Sequence, residues 1–182
     1  ERQKWFEEAG FEDIYVESND GLKLHSSMLK NEVATNKWII VFHGYGGGGK
    51  HMISSAQNFE SMGYNVVIPD ARGLGMSEGH YIGMGWHERL DALKWIDYIL
   101  TEDRNAEIAL YGVSMGGATV MMISGEELPS NVKVIVEDCG YTSAWDEFSY
   151  QLKQIFNIPT FPVMNFASIV TKIKAGYFLE EA

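Results

Sequence analysis

An open, mostly parallel α/β sheet is the fold class predicted by this 182-residue sequence. Three observations predict it. Short β-branched runs alternate with helix-compatible stretches along most of the chain. Those runs are apolar without alternation, as in strands covered on both faces. Finally, Gly112-Val113-Ser114-Met115-Gly116 stands where one such run should turn abruptly into a helix.

Taken in order, residues 11–18 and 22–29 flank Asn19-Asp20-Gly21 and predict an antiparallel hairpin with a tight Asp-Gly turn. Residues 37–42 and 65–69 predict parallel strands, joined by a crossover helix over 52–62 that Gly63 stops. From 86 to 100, Trp86, Leu90, Leu93, Ile96 and Leu100 recur at spacings of three and four. Glu88, Arg89, Asp91 and Lys94 stand between them, as in an amphipathic helix. Residues 107–113 and 132–136 predict two further buried strands, with a helix from Gly117 to Ile123 between them. After Gly140, Trp145, Phe148, Tyr150, Phe156, Phe161 and Phe166 crowd a stretch punctuated by Pro159 and Pro162. Two readings remain open there: a helical lid, or aromatics packed directly on the sheet. The division expected is a core over 1–140 and a cap over 141–182.

The length suits one domain with a sizeable core. A formal charge of −11 with scattered bases excludes a phosphate-backbone partner, so no nucleic acid is expected. Cys139 is the only cysteine, which forbids an internal disulfide and reads as a small apolar residue at a strand end. No run approaches the roughly 18 apolar residues of a membrane span, and no signal peptide opens the chain, so the chain itself is expected to be soluble. It begins at Glu1 rather than Met, which suggests a preceding natural segment and leaves localisation open.

Ser114 is the candidate nucleophile. A serine on a sharp strand-to-helix turn presses its neighbours two residues away against adjacent backbone, which is why both flanks are glycine. The stretch His43-Gly44-Tyr45-Gly46-Gly47-Gly48-Gly49-Lys50 admits three readings. As a phosphate-binding P-loop it puts His51 where a Ser or Thr hydroxyl should hold magnesium. As a dinucleotide fingerprint, Gly44, Gly46 and Gly49 are followed by Asp70 at the spacing of a ribose ligand. As an oxyanion loop, its glycines free backbone N–H groups to point above the sheet, the Tyr45 amide acting with that of Met115.

These residues resemble a known family. His43-Gly44-Tyr45-Gly46, the segment from Asp70 through Arg72 to Gly79, and the pentapeptide around Ser114, in that order, are similar to the α/β-hydrolase superfamily. Asp138-Cys139-Gly140-Tyr141-Thr142 and the aromatic stretch after it resemble a group of Gram-positive bacterial members, several of which carry an N-terminal membrane anchor. The resemblance implies a serine hydrolase without metal or organic cofactor. It also makes Asp70 and Arg72 loop-shaping residues and His43 part of the oxyanion strand end rather than the base. Any membrane association is expected through a segment outside this chain.

The triad order implied is serine, acid, histidine, yet all five histidines precede Ser114: His25, His43, His51, His80 and His87. Asp138 is a candidate acid, or a carboxylate paired with a neighbouring loop. The expectation is therefore an N-terminal portion of a longer carboxylesterase-type enzyme, acting through an acyl-Ser114 intermediate on a small to medium apolar substrate. By itself the chain is expected to be inactive and to self-associate through the strand at 132–136. The alternatives are a dinucleotide-binding protein using the 44–49 loop and a non-catalytic binding protein on the same fold.

Overall fold

The computed structural model describes residues 2–182, and one six-stranded sheet organises them. A short helix α1 (Arg2–Glu8), to which the sequence reading assigned nothing, precedes the hairpin strands β1 (Glu12–Glu17) and β2 (Lys23–Leu29). Then come β3 (Lys37–Phe42), α2 (Ile53–Ser61), β4 (Asn65–Pro69), α3 (Glu88–Glu102), β5 (Glu107–Val113), α4 (Met115–Ile123) and β6 (Val132–Asp138). The chain closes with α5 (Ala144–Phe156) and α6 (Thr160–Ala175). Strand order is β1-β2-β4-β3-β5-β6. The β1–β2 and β2–β4 pairs are antiparallel, and the pairs of β3 with β4 and β5 and of β5 with β6 are parallel.

Period-two geometry sends neighbouring residues of one strand to opposite cores. Trp38 and Ile40 of β3 pack with Trp95, Ile96 and Ile99 of α3 and Val120 and Ile123 of α4. Ile39 and Val41 face Met52 and Ala56, with Trp5 and Phe6 of α1 behind them. The unbroken apolar runs are thus strands buried on both faces. The hairpin closes through a three-residue loop in which Ser18 N–H donates to Leu22 O at 2.9 Å, and Gly21, at φ +83°, takes the left-handed position.

The strand at 132–136 extends to Asp138 and, as expected of a chain that self-associates there, is an exposed edge among the described residues, with Val134 and Val136 46% and 44% exposed. Two expectations are corrected. Glu88 and Asp91, read as the polar side of a helix, are buried, since they meet backbone N–H groups and a buried arginine respectively. Cys139 is exposed at φ +51°, at the bend that follows β6, so it is not a packed apolar residue.

Residues 141–182 form a helical pair that joins the core through Met84, Met115, Met164, Tyr177 and Leu179. Ser143 caps α5 by accepting the Asp146 N–H, and Asn157 ends it in the left-handed conformation. Phe156, Phe161 and Phe166 stay 65–75% exposed. Direct packing on the sheet does not describe these three aromatics.

Candidate active site

The turn after β5 is as crowded as its glycines imply. Ser114 adopts φ 55°, ψ −115°, a sparsely populated conformation costing about 1–3 kcal/mol that its surroundings must hold in place. They do so by hydrogen bonds on both sides: Ser114 N–H donates to Asp138 O at 2.8 Å, and its own carbonyl accepts from Ala118 N–H at 2.9 Å. A Cβ on Gly112 would stand 2.0 Å from Gly116 O, and one on Gly116 would stand 2.3 Å from Phe42 O. Gly117 and Gly140 meet equally closely, so a Cβ on either would come within 2.9 Å of the other's backbone. Four glycines therefore let β5, α4, the end of β3 and the bend after β6 converge on one serine.

The loop after β3 arrives at the same point. A Cβ on Gly44 would lie 3.4 Å from Ser114 Cβ and 3.8 Å from Ser114 Oγ, which sets the next residue, Tyr45, beside the nucleophile position. Neither the Tyr45 N–H nor the Met115 N–H finds an acceptor among the described residues. Met115 opens α4, so its amide also lies at the positive end of the helix dipole. His43, 2% exposed, donates from Nδ1 to Gly44 O at 2.7 Å and accepts the Ala71 N–H on Nε2 at 3.0 Å. Both ring nitrogens are committed, and burial holds its pKa below the ordinary histidine range. It braces the loop as a neutral imidazole.

Asp70 braces the loops around it rather than facing an open ribose site. Its Oδ1 accepts the Gly49 N–H at 2.7 Å, and its Oδ2 accepts the Met76 N–H at 2.9 Å and faces His25 Nδ1 at 2.7 Å. The glycine run is corrected accordingly: only its start lies by Ser114, while its end wraps this carboxylate. A Cβ on Gly48 would stand 3.1 Å from Asp70 Oδ1, and one on Gly75 would stand 2.2 Å from the carboxylate carbon. His51, the mismatch to a P-loop, accepts the Gly48 N–H at 3.3 Å.

Arg72 locks the neighbouring segment. It is 3% exposed and bonds Asp91 through Nε and Nη2 at 2.8 and 2.7 Å, and Asp20 of the hairpin loop through Nη1 at 2.9 Å. The hydrogen-bonded guanidinium in turn holds the Asp20 carboxyl down at about 2, outweighing the opposing effect of burial. Glu88 accepts from Gly83 N–H at 2.7 Å and Gly85 N–H at 2.9 Å, and burial pushes its pKa up. The Tyr177 and Tyr141 hydroxyls donate to the carbonyls of Gly83 and Met84, tying the cap to this loop. Sequence reasoning missed Glu88, although a Glu three residues after Gly85 at a helix start is the spacing of a side chain that reaches back to cap.

No imidazole reaches Ser114. His25 lies between two aspartates, and His87 packs edge-on against Tyr81 and Tyr177. Asp138 accepts the Tyr111 hydroxyl of the adjacent strand at 2.8 Å, and burial together with this carboxylate pushes the phenol up to about 12. Between α6 and the 73–84 segment lies a cavity of about 510 Å³ with Tyr45 on its wall, lined also by Ile82, Met84, Phe148, Val170 and Leu179. Met84 packs in one cluster with Met115, so the cavity stands one side chain from the elbow.

Comparison with known proteins agrees with this geometry. The profile of the alpha/beta hydrolase fold family matches residues 37–157, from the start of β3 through α5. The uncharacterised protein YqkD of Bacillus subtilis (strain 168) is 25% identical over 148 residues, 81% of this chain and 48% of its own length. The alpha/beta hydrolase domain-containing protein WAV2 of Arabidopsis thaliana is 26% identical over 140 residues, 75% of this chain and 44% of its own. The chain thus spans about half the length of these curated relatives. Among solved structures, the Pyrococcus furiosus esterase Pf2001 superposes with a TM-score of 0.72 at 23% identity, covering 84% of this chain and 58% of that one. With a six-stranded mixed sheet, a strand-to-helix turn on Ser114 and a family profile covering most of its length, the chain belongs to the α/β-hydrolase fold family.

Proposed function

We propose that this chain supplies the nucleophile and the oxyanion donors of a serine hydrolase of carboxylesterase type. The observation that carries the reading is the close approach of Gly44 to Ser114, at φ 55°, with the neighbouring N–H groups of Tyr45 and Met115 finding no acceptor among the described residues. In the reaction, Ser114 Oγ attacks the ester carbonyl and gives up its proton, and the alkoxide so formed accepts from the two amides. Each donor is worth about 3 kcal/mol of barrier. Expulsion of the alcohol leaves an acyl-Ser114, and water hydrolyses it by the same steps in reverse order. No metal or organic cofactor takes part in this scheme.

A serine needs a base within hydrogen-bond reach, itself oriented by a carboxylate. His25 and His43 are committed elsewhere, so we assign the base to the part of the natural protein outside this chain, a reading supported by the chain's matching about half of its relatives. The cavity beside Tyr45 supports a small to medium, largely apolar acyl group. The buried carboxylate of Asp70, already committed to Gly49, Met76 and His25, speaks against the dinucleotide reading.

The test is fluorophosphonate labelling of the full natural protein, with the modified residue located by mass spectrometry. Labelling at Ser114 that disappears in Ser114→Ala is expected. Labelling unchanged by that substitution rejects the nucleophile. A protein that binds apolar esters in the cavity yet is never labelled is a non-catalytic binder.

A further inference from the structure

His25 lies in β2, away from the elbow and 4% exposed, and nothing in the chemistry above uses it. Its two ring nitrogens each face a carboxylate: Nδ1 meets Asp70 Oδ2 at 2.7 Å, and Nε2 meets Asp13 Oδ1 at 2.9 Å. Asp70 also accepts two backbone N–H groups, which hold it ionised, so Nδ1 must be the donor to it. A neutral ring would then aim the Nε2 lone pair at an oxygen of Asp13. Only the imidazolium, with a proton on each nitrogen, satisfies both contacts.

The chain of contacts does not stop at Asp70, whose other oxygen accepts the Gly49 N–H at 2.7 Å. Gly49 ends the loop whose other end, Gly44, rests against Ser114 and whose Tyr45 supplies a proposed oxyanion donor. We propose that His25 is a positioning residue: a buried imidazolium between Asp13 and Asp70 that, through Asp70 and Gly49, holds the oxyanion loop in register with Ser114, and that releases the loop when it loses its proton. This rests on the reading of residues 43–50 as the oxyanion loop.

The surroundings carry the proton economy of such a device. Asp13 comes from β1 and Asp70 from the end of β4, while the Tyr15 ring lies 5.3 Å from the imidazole with Lys23 Nζ over its far side. The Asp70 carboxylate also acts through space on the buried, neutral His43, and Glu7 and Lys50 line the adjoining cavity of about 480 Å³. That cavity also touches Asp13, His25, Gly49 and Asp70, and gives the cluster an aqueous route for its proton. Burial opposes the charge on His25, but the bonds to Asp70 and Asp13 outweigh it and raise its pKa, while that of Asp70 is lowered. The sign follows: a histidine raised above its unfolded value contributes fully below about pH 6.5, and its contribution is lost as pH rises through the folded value.

The experiment uses the full natural protein and the variant Asp13→Asn, whose side chain is 60% exposed and touches no catalytic group. Long-range proton–nitrogen NMR should find both His25 nitrogens protonated at pH 6, with a midpoint above 6.5. Asp13→Asn should move that midpoint down by about one pH unit. Exchange protection of the Gly49 amide, taken relative to Ile108 in β5, should fall about tenfold as pH rises through the midpoint, and the limb should move with the midpoint in the variant. The rate of fluorophosphonate labelling at Ser114 should follow the same limb. A midpoint at or below 6.5 overturns the proposal. So does a midpoint that shifts in the variant while Gly49 protection does not. If Ser114 is labelled at no pH, the hydrolase reading fails separately, and the Gly49 exchange still decides the role of His25.

Discussion

Adding one methyl group at Gly116 is the sharpest test of the elbow. The Cβ of Gly116→Ala would stand 2.3 Å from Phe42 O, 2.6 Å from Phe42 C and 3.0 Å from His43 O. Carbon contacts are comfortable at roughly 3.5–4.0 Å, so relief requires about an ångström of movement between α4 and the end of β3. All three obstacles are backbone, with no flexible side chain to swing aside. Overpacking of this kind costs typically 1–3 kcal/mol, and with rigid neighbours about 3 kcal/mol is expected. For a chain of this size that lowers Tm by roughly 6–12 °C. The displaced segment also carries Gly44 and Tyr45, so fluorophosphonate labelling of Ser114 should slow by more than the stability loss alone explains. The control is Gly125→Ala, where the nearest atom would lie at 3.5 Å and φ is not in the left-handed region. It should change stability by less than about 1 kcal/mol. Thermal unfolding and labelling of both variants in the full natural protein provide the assay. A Gly116→Ala protein as stable and as readily labelled as Gly125→Ala would refute the close approach of β3, α4 and Ser114.

Other expectations follow from single contacts. Arg72→Met strands the buried Asp91 carboxylate and should cost about 3–5 kcal/mol in urea unfolding at pH 7, whereas Asp20→Asn, at a half-exposed partner, should cost less than about 1 kcal/mol; equal losses would reject the distinction. His43 has its pKa lowered by burial, so its contribution is complete above about pH 6.5 and declines as pH falls toward its folded value. NMR at pH 7 should therefore show a neutral ring protonated at Nδ1, and an imidazolium there would contradict its bond to Ala71. The 182-residue chain alone should show no steady-state esterase turnover, since loss of a triad histidine costs on the order of a millionfold; wild-type rates from a chain verified by mass would point to another base. Val136→Lys on the exposed face of β6 should reduce self-association of that chain in analytical ultracentrifugation, and an unchanged distribution would place the contact elsewhere.

The sequence by itself determined the order and type of most elements and the position of the strand-to-helix turn at Ser114. Unbroken β-branched runs at 37–42 and 65–69 can only be strands covered on both sides, and a glycine two residues to either side of Ser114 is a local steric demand. Such signals survive without an alignment because their causes lie within a few residues. What the tertiary structure alone decided are contacts between segments far apart in the chain. Asp70 could be read as a ribose ligand or a loop brace until Gly49, Met76 and His25 filled its oxygens. Glu88 and Asp91 looked like solvent-facing helix charges until Gly83, Gly85 and Arg72 closed around them. A side chain's partners depend on how the sheet orders its strands, and here β4 stands between β2 and β3, an arrangement no local pattern encodes. For the same reason His25, 45 residues from Asp70 in the chain, entered the site only when β2 and β4 paired.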